Sequence, residues 1–111
     1  MGTERFRAAA AQRCLANMAT SYGTGDMGFI SKGCEDISKV KMLEVLTNRA
    51  RRSLIRNVDQ IKDPLLLLHG YLDYRCSFEQ SEQMFIAMKE RNPQAPVRLV
   101  MFPSGLAQEF N

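Results

Sequence analysis

One stretch, PLLLLHGYLDYRC at residues 64–76, indicates the architecture of this 111-residue chain. Its four consecutive leucines are too few to cross a bilayer, and a proline before them and a glycine after them bound a short strand buried on both faces. Such a strand needs a layer of structure on each side. The pattern therefore predicts a parallel sheet with helices packed against it.

The residues that follow predict a helix and a second strand. Ser77 and Gln80 have the spacing of a capping box, which begins a helix. Apolar and small side chains then recur at helical spacing: Phe78, Ser81, Met84, Phe85 and Met88. After Pro96, residues 97–102 have the composition of a strand. Strand, helix and strand over about 40 residues make a βαβ unit, whose crossover is right-handed in nearly all cases.

Two segments precede this unit. The sequence leaves the first open between strand and helix and predicts a helix for the second. Residues 6–12 allow a strand or a helix, because they contain four alanines and alanine is the best helix former. Residues 38–57 predict a helix with an apolar face made of Val40, Leu43, Leu46, Ala50 and Leu54. Arg49 and the other basic residues fall on the rest of its surface. This basic amphipathic helix could meet a membrane or an acidic partner, but a core-packed helix with a solvated face is the favoured interpretation.

The composition is that of an ordinary globular domain, with 45% hydrophobic and 24% charged residues. A net charge of +3 is weak evidence for nucleic-acid binding. No apolar run approaches membrane length, and nothing reads as a signal peptide. We therefore expect a single domain over residues 1–111 and a cytoplasmic location, with neither a nucleic acid nor a membrane as partner.

The cysteines and the histidine argue against a metal site. Cys14, Cys34 and Cys76 show no C-x-x-C spacing, and His69 is the only histidine. A zinc site would have to gather distant residues. We therefore expect no metal, no cofactor and reduced, partly buried thiols.

A lone acid, Asp73, lies just past the predicted central strand. In an open parallel sheet, functional residues lie on the loops that leave the carboxyl ends of the strands, and a catalytic carboxylate could be held rigidly there. From spacing alone, a residue that only closes a turn is the favoured interpretation of Asp73.

Several short sequence motifs, taken in their order along the chain, change this interpretation of Asp73. They are TERFRAA (3–9), YGTGDMG (22–28), LLLLHGYLDYRC (65–76), FEQSEQMF (78–85) and VRLVMFP (97–103). Together they resemble the end of the catalytic domain in the prolyl oligopeptidase family, and in particular its acylaminoacyl-peptidase and dipeptidyl-peptidase-like branch of serine peptidases. The resemblance covers most of the chain, and only residues 31–57 are weakly matched.

The resemblance implies a partial α/β-hydrolase fold: roughly three parallel strands with flanking helices, the C-terminal part of a larger sheet, without a β-propeller. It favours a strand over residues 6–12. In the family, the segment corresponding to residues 14–33 helps to wall the substrate cleft. Tyr22 and Asp26 thereby become candidate substrate-binding residues, although an aspartate beside glycine is more often a plain turn residue.

The triad of this fold runs Ser, Asp, His along the chain. By resemblance, Asp73 takes the position of the acid. The 111 residues contain no Gly-x-Ser-x-Gly, and the position of the family's histidine holds Ala107 or Gln108, depending on where a gap is placed. His69 cannot replace the base, because it ends the central strand and precedes the acid. We therefore expect the isolated chain to be inactive.

Two interpretations of function remain open. By family, the chain is the C-terminal fragment of a serine peptidase that cleaves short peptides. The alternative is a non-catalytic binding or dimerisation module derived from a hydrolase half-fold. Either one leaves an unpaired sheet edge, which predicts a homodimer or a complementing N-terminal chain. A homodimer with a continuous sheet would favour the module, and insolubility in isolation would favour the fragment.

Overall fold

A computed structural model describes residues 5–24 and 41–103. The described elements, in chain order, are β1 (Ala9–Gln12), α1 (Met18–Ser21), α2 (Met42–Arg52), a 3-10 helix (Leu54–Gln60), β2 (Leu65–Gly70), α3 (Glu79–Arg91) and β3 (Val97–Phe102). Among these elements, no helix is long and apolar enough to span a membrane.

The three strands form one parallel sheet in the order β1-β2-β3. Leu65 pairs with Ala9 on one side and with Val97 on the other, so the leucine run is the central strand, as predicted. The predicted strand over residues 6–12 is confirmed only from Ala9 onward. The amide of Ala9 bonds to the carbonyl of Pro64, and Pro64 has no N–H with which to continue the ladder.

Helix α3 covers one face of the sheet and contributes Met84 and Met88 to the core. The predicted face is confirmed: Ser81, Met84 and Met88 are fully buried, and the two methionines belong to the same core cluster as Leu67 of the central strand. The predicted capping box is wrong. Helix α3 begins at Glu79 without a side-chain cap, and the side chain of Gln80 bonds elsewhere, as described below.

The leucine run predicted a central strand buried on both faces. In the structure, only one of the two faces is fully buried. Leu67 is fully buried beneath α3, whereas Leu66 and Leu68 on the opposite face are only half-buried. Val100, the neighbour of Leu68 in β3, is 45% exposed. The described helices pack against the first face alone, so the second face keeps apolar surface exposed.

The predicted helix over residues 38–57 differs from the observed one in length and in face. Helix α2 ends at Arg52, and Val40 lies outside the described residues. Its buried positions are Val45 and Arg49, whereas Leu43 is 75% exposed. The reason is that an arginine stem packs like an apolar side chain, and the guanidinium of Arg49 lies 5.0 Å from the centre of the Tyr22 ring.

Candidate active site

The loop that follows β2, residues 71–76, is called the Asp73 loop below. Asp73 itself is only 4% exposed. Its backbone amide donates to the carbonyl of Gly70, the last residue of β2. The acid therefore lies at the carboxyl end of the central strand, where the sequence predicted it, and it is anchored directly to that strand.

The two carboxylate oxygens of Asp73 have different roles. Oδ1 accepts hydrogen bonds from the backbone amides of Arg75 and Cys76, each at 3.0 Å. Oδ2 is buried and accepts no hydrogen bond from the residues that the structure describes. Asp73 does close a turn, but it uses only one oxygen to do so. Because the turn holds Oδ1, it also fixes the direction of Oδ2.

Arg13 provides a positive charge beside that second oxygen. Its Nε lies 3.4 Å from Oδ2 of Asp73, which makes an ion pair without hydrogen-bond geometry. Arg13 follows β1 directly and has a left-handed backbone, with a φ of 54°. A non-glycine residue adopts this conformation at a cost on the order of 1–2 kcal/mol. The turn redirects the chain where β1 ends, beside the loop that follows β2.

Replacing Arg13 with alanine should destabilise the protein by about 1–3 kcal/mol, because the buried carboxylate of Asp73 loses its counter-charge. Alanine, like arginine, has a Cβ, so the cost of the left-handed backbone is unchanged. Arg91→Ala is the matched control, since Arg91 pairs with Asp59 at 3.1 Å and both side chains are more than half exposed. That control should change stability by less than about 1 kcal/mol. Equal losses in urea unfolding would contradict the role of Arg13.

His69, the last side chain before the glycine of β2, is completely buried. Its Nε2 lies 2.6 Å from the carbonyl oxygen of Cys76, and its Nδ1 lies 2.6 Å from Oγ of Ser81. A carbonyl can only accept, so Nε2 carries a proton and donates it to Cys76. Both ring nitrogens therefore have partners inside the fold.

A second polar network ties residues 17–24, here called the wall segment, to the start of α3. Asn17 caps α1 by accepting from the amides of Ala19 and Thr20. The buried side chain of Gln80 accepts from the Asn17 amide at 2.7 Å and donates to Oγ1 of Thr20 at 2.9 Å. These bonds fix the wall segment to the same helix end that follows the Asp73 loop.

The predicted substrate residue Tyr22 belongs to the wall segment. Tyr22 is half-buried beneath the guanidinium of Arg49, and among the described residues no hydrogen bond joins it to Asp73. The other candidate, Asp26, lies outside the described residues, as do Ala107 and Gln108.

The exposed surface of the Asp73 loop is largely apolar. Tyr71 is 59% exposed and stacks on Phe78, with ring centres 5.0 Å apart. Leu72 and Tyr74 are also exposed. Asp73 is thus a buried charge between apolar side chains that face outward.

The described residues contain no group of three His, Cys, Asp or Glu side chains that could hold a metal ion. Cys14 and Cys76 are both half-buried thiols. Burial raises the pKa of the Cys14 thiol above its ordinary 9.0, so this thiol stays protonated near neutral pH.

The sequence of the chain is similar to that of known proteins. Residues 1–105 match the sequence model of the prolyl oligopeptidase family. The chain belongs to this family. It is 35% identical over 103 residues to the uncharacterized peptidase YuxL of Bacillus subtilis (strain 168), a match that covers 93% of this chain and 15% of the relative. It is 34% identical over 111 residues to the human acylamino-acid-releasing enzyme, covering 92% of this chain and 14% of that enzyme.

The structural comparison gives the same family branch. The fold matches the acylaminoacyl peptidase of Pyrococcus horikoshii with a TM-score of 0.75 and 25% identity, over 94% of this chain and 16% of that one. The described sheet and helices are therefore part of an α/β-hydrolase fold of acylaminoacyl-peptidase type. The chain spans roughly a seventh of the length of these relatives, between 14% and 16%.

Proposed function

We propose that this chain supplies the acid of a serine-peptidase triad, Asp73, to a catalytic domain that cleaves short peptides with acylated N-terminal residues. The observation that carries the proposal is the difference between the two carboxylate oxygens of Asp73. Two backbone amides hold Oδ1, while the buried Oδ2 accepts no hydrogen bond from the described residues. The family relatives named as acylamino-acid-releasing enzymes support the substrate class.

This geometry suits the task of a triad acid. The acid accepts a hydrogen bond from the Nδ1–H of the catalytic imidazole, fixes its tautomer and stabilises the imidazolium that forms during the reaction. The amides of Arg75 and Cys76 prevent rotation of the carboxylate, so the direction of Oδ2 is set before any imidazole arrives. Burial strengthens the interaction, because charges attract more strongly at low dielectric constant.

We propose that the nucleophile and the base come from residues other than those of this chain. The 111 residues contain no Gly-x-Ser-x-Gly. By the family resemblance, the position of the histidine falls to Ala107 or Gln108, depending on where a gap is placed. Neither side chain can take a proton near neutral pH. The isolated chain should therefore neither hydrolyse peptides nor react with a fluorophosphonate probe.

The exposed parts of the sheet support a partner. In the described sheet, β1 lies at one edge and has β2 as its neighbour, and Val100 leaves apolar surface exposed on the face opposite α3. Parallel sheets are normally paired at their strands and covered on both faces. A complementing segment with the family's nucleophile strand would pair with the edge of β1. We also propose a cytoplasmic location, in line with Cys14 and Cys76, which form no disulfide in the described part of the chain.

A non-catalytic module remains the second candidate, because Arg13 already gives the Asp73 carboxylate a counter-charge. In that case the acid is kept for stability alone, and a second copy of the chain covers the β1 edge.

A graft separates the two candidates. Residues 1–102 replace the matching stretch of the human acylamino-acid-releasing enzyme, and the host keeps its own sequence on both sides. We expect the graft to release acetylated residues from a chromogenic acetyl-peptide, while the isolated chain shows no labelling and no turnover. A folded graft without turnover would favour the non-catalytic module. Labelling of the isolated chain would reveal a nucleophile that the sequence does not indicate.

A further inference from the structure

Cys76 is the residue at which the Asp73 loop is held from two sides. Its amide donates to Oδ1 of Asp73 at 3.0 Å, and its carbonyl accepts from Nε2 of His69 at 2.6 Å. A shift of Cys76 would therefore move one of the two donors that orient the carboxylate. The position of Cys76 in turn depends on His69, which belongs to the rigid central strand.

His69 is itself oriented by α3. Oγ of Ser81 lies 2.6 Å from Nδ1, and both side chains have no exposed surface. With the Nε2 proton directed at Cys76, Nδ1 is left to share a hydrogen bond with the Ser81 hydroxyl. The imidazole thus links three parts of the site: the end of β2, the first turn of α3 and the Asp73 loop.

We propose that His69 and Ser81 are positioning residues that set the direction of Oδ2 of Asp73 through Cys76. The inference deepens the proposed function and rests on it, because the direction of Oδ2 matters for catalysis only if Asp73 orients a base. Neither residue touches the reacting atoms. They act by fixing the loop from two regular elements, which hold a site more precisely than the loop could alone.

The burial of this pair supports a positioning role over simple packing. His69 directly follows four leucines and lies on the same face of the strand as Leu67, which is apolar and also fully buried. An apolar residue at position 69 would continue that pattern, but it would leave the Cys76 carbonyl without this donor. Small errors of placement are costly in catalysis, since a displacement of about 1 Å can lower a rate 10²-fold.

Two substitutions of His69 separate its two bonds. His69→Gln places an amide nitrogen near the position of Nε2 and keeps the donor to Cys76. His69→Asn is shorter, so it reaches only toward Ser81 and loses Cys76. Ser81→Ala keeps the imidazole and removes only the hydroxyl that orients it.

The first readout is hydrogen exchange at the amides of Arg75 and Cys76 in the 111-residue chain, corrected for the global unfolding equilibrium of each variant. We expect His69→Asn to speed this exchange about tenfold beyond the effect of global unfolding, because one hydrogen bond is lost. His69→Gln should restore most of the protection. Ser81→Ala should shift exchange in the same direction as His69→Asn. Equal protection in His69→Asn and His69→Gln would overturn the proposal, as would unchanged protection in Ser81→Ala.

The second readout is the kinetics of the graft. We expect His69→Asn to lower kcat about 10²-fold with KM nearly unchanged, and His69→Gln to recover most of the loss. A purely structural role would not produce a kcat defect that the glutamine rescues. If the graft with the native segment is inactive, the proposed function fails, and exchange still decides whether His69 positions the loop. If the graft is active and His69→Asn leaves kcat unchanged, the positioning role alone fails.

Discussion

Asp73→Asn in the graft should lower kcat on the order of 10⁴-fold, the largest effect we expect from any single substitution in this chain. The asparagine oxygen can still accept from the amides of Arg75 and Cys76, so the loop keeps its shape. Its NH₂ group then replaces Oδ2 and presents a donor where the imidazole requires an acceptor. The imidazole is held in the wrong tautomer, and the base is lost while the protein stays folded.

Asp59→Asn is the matched control for this measurement. Asp59 lies in the 3-10 helix with its side chain 55% exposed, and it pairs only with the exposed Arg91 among the contacts described. The control should leave kcat and KM at the values of the unmodified graft. A loss below about tenfold in Asp73→Asn would remove Asp73 from the role of acid, given the size of effect that a triad acid produces.

Leu67→Ala should lower the free energy of unfolding of the 111-residue chain by about 3–5 kcal/mol. Leu67 is completely buried in the central strand and packs with Met84 and Met88 of α3. Its truncation leaves a cavity between the sheet and α3. Among the described residues, Leu67 is the only fully buried leucine. Since small domains have about 5–15 kcal/mol in total, this loss is a large share of the stability.

Leu43→Ala provides the comparison for Leu67, because Leu43 in α2 is 75% exposed. We expect its effect to stay within about 0.5 kcal/mol in urea unfolding followed by circular dichroism. Equal effects at the two positions would mean that the sheet and α3 do not form the stabilising core.

The βαβ part of the fold follows from the sequence because its signals are local. The leucine run, the periodic residues of α3 and the prolines that bound the strands each specify their own element. The face of α2 does not follow, since it depends on Arg49. A count of apolar residues places arginine on the solvated side, whereas the aromatic ring of Tyr22, distant in sequence, allows its burial.

The sequence likewise predicts some features of the candidate site and not others. The position of Asp73 after the central strand is predictable from the strand and from the family words. The ion pair with Arg13 is not, because it depends on the neighbouring places of β1 and β2 in the sheet and on one left-handed residue. Gln80 has the spacing of a capping residue, but the nearby wall segment offers its side chain better partners.

A crystal structure of the graft would test the role of Asp73 most directly, through the distance from Oδ2 to Nδ1 of the host's catalytic imidazole. We expect a hydrogen bond of about 2.6–3.2 Å, with Oδ1 still held by the two loop amides. An imidazole beyond hydrogen-bond reach, with Oδ2 paired to Arg13 alone, would contradict the proposal that this chain supplies the acid of a peptidase.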